Sequence, residues 1–263
     1  MPTTKNGDQT ISYRETGEGA PLLLIMGLGY TAQMWHRIEG ELAKHYRLII
    51  FDNRGLGDTP AAKEPFTLVD MASDAVAVMD AAGVERAHVM GISMGGYIAQ
   101  ELVLNFPERV DHLILGCTGP GGEVAVPPGQ AVLDLLVSRA SMDAEEAMWA
   151  MAPNVYASST PQSVIEADFA LRLKQYPSEE AYLAQFGAIM NWSGTADRLA
   201  NIKAPTLVIH GEEDALVPFE NGQYLAANIP AAQHCWMPQA SHIFFSDQVL
   251  DSIAAVIGFL PKA

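Results

Sequence analysis

Short apolar runs alternate with amphipathic stretches along most of the chain. Apolar runs of strand length, which predict buried strands, occupy residues 22–26, 47–51, 88–92, 110–115, 206–209 and 231–237. Residues 10–15 alternate apolar and polar positions, as a half-buried strand does. Helical spacing marks residues 68–82, with Gly83 as the predicted C-cap, and residues 249–260. Strands that alternate with helices predict an α/β fold with a mostly parallel sheet.

Between residues 116 and 201 this alternation of strand and helix lapses. A loop rich in glycine and proline opens the region, and Asp143 is a good N-cap for the second of the helices that follow. The predicted loop and helices are residues 119–129, 131–140, 144–151, 164–175 and 179–190. A helical insertion between two strands is expected to lie over the carboxyl ends of the strands, where ligands bind. The pattern therefore predicts a lid.

Several large apolar side chains of this insertion are candidates to line a substrate pocket. They are Met148, Trp149, Met151, Phe186, Met190 and Trp192. The alternative for each is ordinary packing between the helices of the lid. From this set we predict that substrate contacts Trp149, Met190 and Trp192.

Charge and composition restrict the partners of the chain. The 263 residues include 15 Lys and Arg against 31 Asp and Glu, a formal net charge of −16. No basic cluster is present to neutralise phosphates, so neither nucleic acid nor an anionic membrane is an expected partner. No apolar window is long enough to span a bilayer, and residues 1–6 do not resemble a secretory signal. A cytoplasmic location is expected.

The cysteines and histidines do not show the spacing of a metal site. Cys117 and Cys235 lie far apart, and we interpret both as reduced core residues, with a disulfide as the alternative. The seven histidines are scattered along the chain, with no His-x-x-x-His pair. We therefore expect no metal.

Ser93 lies between glycines where a predicted strand meets a predicted helix. The local sequence Gly91-Ile-Ser93-Met-Gly95 has the arrangement of a nucleophile elbow. In such a turn the serine hydroxyl stands clear of the sheet, and the following helix directs its N–H groups toward the same point. A simple glycine-rich turn is the alternative.

A serine hydroxyl needs a base, and the base needs an acid that orients it. After an elbow of this type the acid and then the histidine are expected beyond later strands. Asp214 follows the strand at 206–209, and His242 follows the strand at 231–237. Glu212 and Glu213 are adjacent carboxylates, but the spacing Gly-x-x-Asp and the shorter side chain favour Asp214. His210 is interpreted as a histidine at a strand end with a structural hydrogen bond.

An oxyanion at the substrate carbonyl requires backbone N–H donors. Met94, directly after Ser93, should supply one of them. The second should come from the loop at residues 26–30, where glycines allow close approach and Leu28 is our candidate. A plain glycine turn is the alternative. In the same loop we predict that Gly27 and Tyr30 contact the substrate.

Together these segments resemble the α/β-hydrolase family over nearly the whole chain. The matching segments are residues 26–30, 52–57, the Ser93 elbow, 205–218 and 240–242. The chain is most similar to small bacterial esterases and 3-oxoadipate enol-lactonases. The resemblance implies an eight-stranded, mostly parallel sheet flanked by helices, with a helical lid between strands 6 and 7. Residues 1–118 and 201–263 would form the core, and residues 119–200 the lid.

The chain departs from the usual family pattern in the oxyanion loop. Met26 stands where a histidine usually precedes the glycine, which puts the choice of the loop donor in doubt. Ser93 itself argues against haloalkane dehalogenases and epoxide hydrolases, which resemble this fold but have an aspartate there.

The expected activity is hydrolysis of a small-molecule ester or lactone through an acyl-enzyme, without a cofactor. A 3-oxoadipate enol-lactonase, a carbon–carbon bond hydrolase and a perhydrolase are alternatives with the same triad. A ligand receptor with slow turnover is the alternative from another class. An enol-lactone would need cationic groups near the pocket to bind its carboxylate. The candidates, each of which could instead brace a loop or lie at the surface, are Arg54, Arg139, Arg172 and Arg198.

Overall fold

The computed structural model describes residues 1–261, and its centre is an eight-stranded sheet in the order β1-β2-β4-β3-β5-β6-β7-β8. The strands from β3 to β8 are all parallel, and β1 and β2 add antiparallel pairs at one edge. The fold class predicted from the sequence is confirmed. The bounds are β1 (Thr3–Asn6), β2 (Gln9–Thr16), β3 (Ala20–Ile25), β4 (Tyr46–Phe51), β5 (Ala87–Ile92), β6 (Val110–Gly116), β7 (Thr206–Gly211) and β8 (Gln233–Met237).

The central strands are apolar along their whole length because helices cover both faces of the sheet. Leu22 to Ile25 of β3, for example, are completely buried, with alternate residues in different apolar clusters on the two faces. The six helices outside the insertion are α1 (His36–Leu42), α2 (Leu68–Ala81), α3 (Met94–Asn105), α8 (Phe219–Asn228), α9 (Phe244–Asp247) and α10 (Val249–Phe259).

Local capping explains where α2 begins and ends. The Thr67 side chain accepts from the N–H of Asp70, and the Asp70 carboxylate accepts from the N–H of Thr67. Beyond the last turn, Gly83 adopts a left-handed φ of +68°, the conformation expected of a glycine C-cap.

Four helices lie between β6 and β7, as the lapse in the strand pattern predicts. Asp143 caps the second of them by accepting from the N–H groups of Glu145 and Glu146. That helix continues four residues beyond the predicted end, because Pro153 is accommodated within its last turn. The bounds are α4 (Gln130–Ser138), α5 (Ala144–Val155), α6 (Gln162–Arg172) and α7 (Glu179–Met190).

Some elements were missed or misplaced by the sequence pattern. β1 is a short edge strand with polar composition, and α1 and α8 have too few apolar positions to stand out. The last strand was predicted from residue 231, but Ala231 has a φ of +56° and the strand begins at Gln233. A left-handed residue cannot extend a strand, so the prediction was wrong there. Residues 262 and 263 of the predicted second core segment lie outside the described residues.

Within residues 1–261, no helix is both long enough and apolar enough to cross a membrane.

Candidate active site

Ser93 occupies a sharp turn between β5 and α3. Its backbone has φ 57° and ψ −122°, an unusual conformation for a residue with a side chain. The turn is held by hydrogen bonds from the Ser93 N–H to the Gly116 carbonyl oxygen at 2.9 Å and from the Thr118 hydroxyl to the Ser93 carbonyl oxygen at 2.8 Å. This is the strained elbow geometry that the sequence predicts.

The glycines around Ser93 are required by close backbone contacts. A Cβ on Gly91 would lie 2.1 Å from the Gly95 carbonyl oxygen, and a Cβ on Gly95 would lie 2.1 Å from the Ile25 carbonyl oxygen. These contacts are with backbone atoms, which cannot rotate away. Helix α3 can therefore approach the end of β3 only with glycine at position 95.

We expect Gly95→Ala to lower the free energy of unfolding by about 3 kcal/mol or more, because the methyl group would overlap the backbone of β3. Gly40→Ala is the matched control, since Gly40 lies inside α1 and a Cβ there meets nothing within 4 Å. The control should be stabilised by about 0.5–1 kcal/mol, as alanine is favoured over glycine in a helix. Urea unfolding of both variants measures the difference. Equal effects of the two substitutions would contradict the packing account.

Asp214 and His242 are brought together beyond the ends of two adjacent parallel strands. Asp214 follows β7, His242 follows β8, and His242 Nδ1 lies 2.8 Å from Asp214 Oδ2. Because a carboxylate can only accept, Nδ1 carries the proton and Nε2 has the free lone pair. Nε2 makes no hydrogen bond to the described residues. Asp214 is itself held in place by the N–H groups of Leu216 and Val217, at 2.9 and 2.8 Å from Oδ1.

The surroundings of Asp214 keep it ionised. Burial raises the pKa of Asp214, but the charges and hydrogen bonds of His242 and His210 lower it by more, so the pKa lies well below its usual range. His210 Nε2 lies 3.4 Å from Asp214 Oδ2 and 2.9 Å from the Val217 carbonyl oxygen. The carboxylate is thus charged at all pH values where the site could act.

This lowered pKa predicts a pH-dependent contribution to stability. The unfolded aspartate titrates near pH 4, so the folded site binds its proton more weakly, and the stabilisation is present above about pH 4. It is lost as the pH falls toward the folded pKa. We expect the difference in free energy of unfolding between the wild type and Asp214→Asn to shrink progressively below about pH 5. Urea unfolding from pH 3 to pH 7 measures it. A pH-independent difference would show that the folded and unfolded pKa values do not differ.

The other two carboxylates of this loop lie outside the Asp214–His242 pair. Glu213 Oε2 accepts from the Ser158 N–H at 2.8 Å, and Glu212 is exposed to solvent. Neither makes a hydrogen bond to His242. The hydrogen bond to His242 therefore distinguishes Asp214 from Glu212 and Glu213. The sequence alone distinguished them only by spacing and by side-chain length.

The loop at residues 26–30 lies directly against Ser93. A Cβ on Gly27 would be 3.0 Å from the Ser93 Cβ and 3.5 Å from its Oγ. Asn53 holds this loop in place, because its side-chain amide donates to the Met26 carbonyl oxygen at 2.8 Å. The loop also contacts the insertion, where the side-chain oxygen of the buried Gln185 of α7 accepts from the Gly29 N–H at 3.0 Å.

Several N–H groups in this region have no acceptor among residues 1–261, and two of them are the predicted oxyanion donors. These two belong to Leu28, in the loop, and to Met94, the first residue of α3. The first N–H groups of a helix have no partner within the helix, so the donor at Met94 is expected on general grounds. Met94 is the next residue after Ser93 along the chain. Leu28 is the next residue after Gly27, which lies directly against Ser93.

A cavity of about 990 Å³ joins Ser93 and His242. Its lining includes four of the five predicted substrate-binding residues, namely Gly27, Tyr30, Met190 and Trp192. Trp149, the fifth, is not in the lining: its ring packs edge-on against Phe169, with centroids 5.0 Å apart. The loop at 119–128 also lines the cavity and is fastened by Asn221, which bonds both the N–H and the carbonyl oxygen of Val126.

Comparison with known proteins then identifies the family. A family model described as the alpha/beta hydrolase fold matches residues 20–249. The chain belongs to the α/β-hydrolase family.

Relatives of this α/β hydrolase agree with that assignment. The protein named "Putative carbamate hydrolase RutD" from Azorhizobium caulinodans is 31% identical over 256 residues, covering 93% of this chain and 92% of that protein. The esterase RhEst1 from Rhodococcus sp. ECU1013 has a TM-score of 0.87 at 25% identity, covering 98% and 97% of the two chains. Est816, described as an N-acyl homoserine lactone degrading enzyme, has a TM-score of 0.80 at 26% identity, covering 98% and 100%. The α/β hydrolase described here is an enzyme of the hydrolase class.

Several lining residues of the hydrolase cavity were missed by the sequence analysis. Burial and the charge of Asp214 raise the pKa of Tyr97 to about 12, so its phenol stays neutral, and its ring packs on Trp192 with centroids 4.7 Å apart. Tyr97 follows the elbow by one helical turn, which is a signal that could have found it. The others, which come from the insertion and from loops beyond the strands, include Leu133, Leu136, Ile189, Leu216, Val217 and Phe245.

The four arginines proposed as cationic candidates have different surroundings in the α/β hydrolase. Arg54 pairs with Asp74 and Arg198 with Glu101, each at 2.6 Å, so both brace the fold. Arg172 packs over the Tyr30 ring at 3.8 Å and does not line the cavity. Arg139 lines the cavity.

Within residues 1–261, two groups of side chains lie close enough to share a metal ion. One consists of His88, Asp111 and His112, at the other end of strands β5 and β6 from Ser93, and Arg86 already pairs with Asp111 at 3.3 Å. The second comprises Cys117 with the Asp214–His242 pair. Burial raises the pKa of the Cys117 thiol well above its usual value, which disfavours the thiolate that a metal needs. Both cysteines are free thiols in the structure.

Proposed function

We propose that this α/β hydrolase cleaves a carboxylic ester or lactone through a covalent acyl-enzyme on Ser93. The main support is the buried Asp214–His242 hydrogen bond of 2.8 Å, beside a cavity that Ser93 also lines from a strained elbow. The esterase and the lactone-degrading enzyme among the related structures are consistent with this chemistry.

In the first step the Nε2 atom of His242 accepts the hydroxyl proton of Ser93 while the Ser93 oxygen attacks the substrate carbonyl carbon. The carbonyl oxygen becomes an oxyanion, which the N–H groups of Leu28 and Met94 stabilise. Asp214 holds the imidazole in the tautomer that leaves Nε2 free, and its charge stabilises the imidazolium. The bond from the carbonyl carbon to the alkoxy oxygen then breaks, and His242 gives its proton to the departing alcohol.

Water completes the cycle by the reverse route. His242 takes a proton from the water as its oxygen attacks the acyl carbon, and the bond to Ser93 breaks with return of the proton to the serine. The products are a carboxylic acid and an alcohol, or one hydroxy acid when the substrate is a lactone. Each step is complete with the side chains named, and the proposal includes no cofactor.

A panel of short-chain p-nitrophenyl esters, simple lactones, 3-oxoadipate enol-lactone and carbamates tests this function. Steady formation of hydrolysis product over many turnovers supports an enzyme. A single burst, followed by a ligand-stabilised protein with a raised melting temperature, would instead support a receptor with slow turnover. The cytoplasmic location and the role of residues 119–200 as a lid over the core remain predictions.

A further inference from the structure

Arg139 is a buried cation without an anionic partner. It begins the turn that follows α4, is 4% exposed, and lines the same cavity as Ser93. Its buried Nη2 atom has no hydrogen-bond partner in the described part of the chain. None of the ion pairs formed by arginines within residues 1–261 includes Arg139.

The contacts of Arg139 satisfy the face of its guanidinium but only part of its N–H edge, which has a hydrogen bond to Tyr176 and an unpartnered Nη2. The guanidinium carbon lies 5.0 Å from the centroid of the Tyr182 ring, and the Tyr182 hydroxyl donates to the Leu136 carbonyl oxygen at 2.9 Å. A ring attracts a cation through its face and cannot accept hydrogen bonds from all five guanidinium N–H groups. Arginine cannot escape the cost of burial by losing its proton.

A buried charge is normally paired, and several arginines that are less buried than Arg139 already have a carboxylate partner. Arg37 pairs with the buried Asp168 at 2.7 Å, and Arg54 and Arg198 also have carboxylate partners. Arg172 shares with Arg139 an unpartnered Nη2 over an aromatic ring, but Arg172 does not line the cavity. Of the two buried arginines within residues 1–261, Arg139 is thus the one in position to meet a ligand.

We propose that Arg139 binds a carboxylate of the substrate, which makes the substrate a carboxylate-bearing ester or lactone. This inference rests on the proposed function for the site at Ser93. A guanidinium matches a carboxylate with two parallel N–H donors, and a cavity of about 990 Å³ has room for both ends of a small diacid monoester. Glu123 and Asp197 also line the cavity, but both are exposed, where water and salt screen their charges.

Two methyl esters of matched size separate charge from shape. Monomethyl adipate carries a free carboxylate, and its primary amide, methyl adipamate, replaces that carboxylate with a neutral group of similar size. We expect the wild type to favour monomethyl adipate in kcat/KM by about 30- to 100-fold, the usual effect of a hydrogen bond to a charged group. A wild type that hydrolyses both esters equally well would overturn the assignment of Arg139 while leaving the proposed function intact.

Substitutions of Arg139 test whether this side chain produces the preference for monomethyl adipate. We expect Arg139→Gln to lower the ratio of the two kcat/KM values to near one, and Arg139→Lys to retain part of it. Arg172→Gln is the matched control, because it removes a second buried cation that does not line the cavity. A ratio that falls equally in both variants would show a general effect of charge and overturn the proposal. If Arg139→Gln does not fold, the wild-type ratio and Arg139→Lys still decide.

A binding measurement separates failure of this inference from failure of the proposed function. Calorimetric titration of Ser93→Ala with monomethyl adipate should show binding that is about 30- to 100-fold weaker in Ser93→Ala/Arg139→Gln. If the wild type hydrolyses neither ester but this difference in binding persists, Arg139 is an anion site and the hydrolytic proposal is wrong. If binding does not depend on residue 139, the carboxylate assignment is wrong whatever the activity.

Discussion

Ser93→Ala is expected to lower kcat for a short-chain p-nitrophenyl ester by about 10⁴-fold or more. Loss of the nucleophile prevents the acyl-enzyme from forming, and only binding and the oxyanion donors remain to accelerate attack by water. The substitution removes one oxygen atom from a turn whose hydrogen bonds are made by backbone groups and by Thr118, so the fold should persist. Initial rates measure the loss, and the melting temperature shows whether the variant is folded.

Ser193→Ala is the control for the Ser93 experiment. Ser193 lines the same cavity but is exposed and lies outside the elbow, so its hydroxyl has no proposed role. Its activity should stay close to that of the wild type. A fluorophosphonate probe should label the wild type and Ser193→Ala at residue 93, as located by peptide mass spectrometry, and should not label Ser93→Ala. Undiminished turnover in Ser93→Ala would exclude the acyl-serine mechanism.

Asp214→Asn should lower kcat by about 10⁴-fold, because an amide can donate to Nδ1 of His242 and thereby stabilise the wrong tautomer. With the proton moved to Nε2, the imidazole cannot accept from Ser93. The amide also removes the negative charge that would stabilise an imidazolium. Steady-state rates on the same p-nitrophenyl ester measure the effect, which should be in kcat more than in KM.

Glu212→Gln tests whether the effect belongs to position 214 and not to the acidic loop as a whole. Glu212 is exposed and makes no hydrogen bond to His242, so the loss of its charge should leave turnover close to the wild-type value. Activity that survives in Asp214→Asn but is lost in Glu212→Gln would mean that the orienting acid has been assigned to the wrong residue.

Much of the fold was predictable because its signals are local. The central strands are continuous apolar runs, since both faces of a parallel sheet are covered, and their positions agree with the structure to within a few residues. β1 was not predicted, because an edge strand with polar residues has no continuous apolar run. Ala231 shows the limit at strand ends, where one residue with a positive φ shortens β8 without any sign in the hydrophobic pattern.

The candidate site was predictable to the extent that it follows strand ends. Ser93, Asp214 and His242 each come within five residues after the end of a predicted strand, so a parallel sheet places them at the same edge. The lining of the cavity was less predictable. Trp149 and Met190 lie in similar helical patterns, yet only Met190 lines the cavity, because the orientation of each helix depends on its packing partners.

By itself, the sequence determined the order of the central strands and of most helices, the glycine-rich elbow around Ser93 and the overall negative charge, since these depend on neighbouring residues or on composition. Only the tertiary structure decided that Asp214 meets His242 at 2.8 Å, because that contact requires β7 and β8 to pair side by side. The same holds for Arg139. The sequence shows that residue 139 is a cation. That it pairs with no carboxylate of residues 1–261 depends on how the turn after α4 packs against Tyr182 of α7.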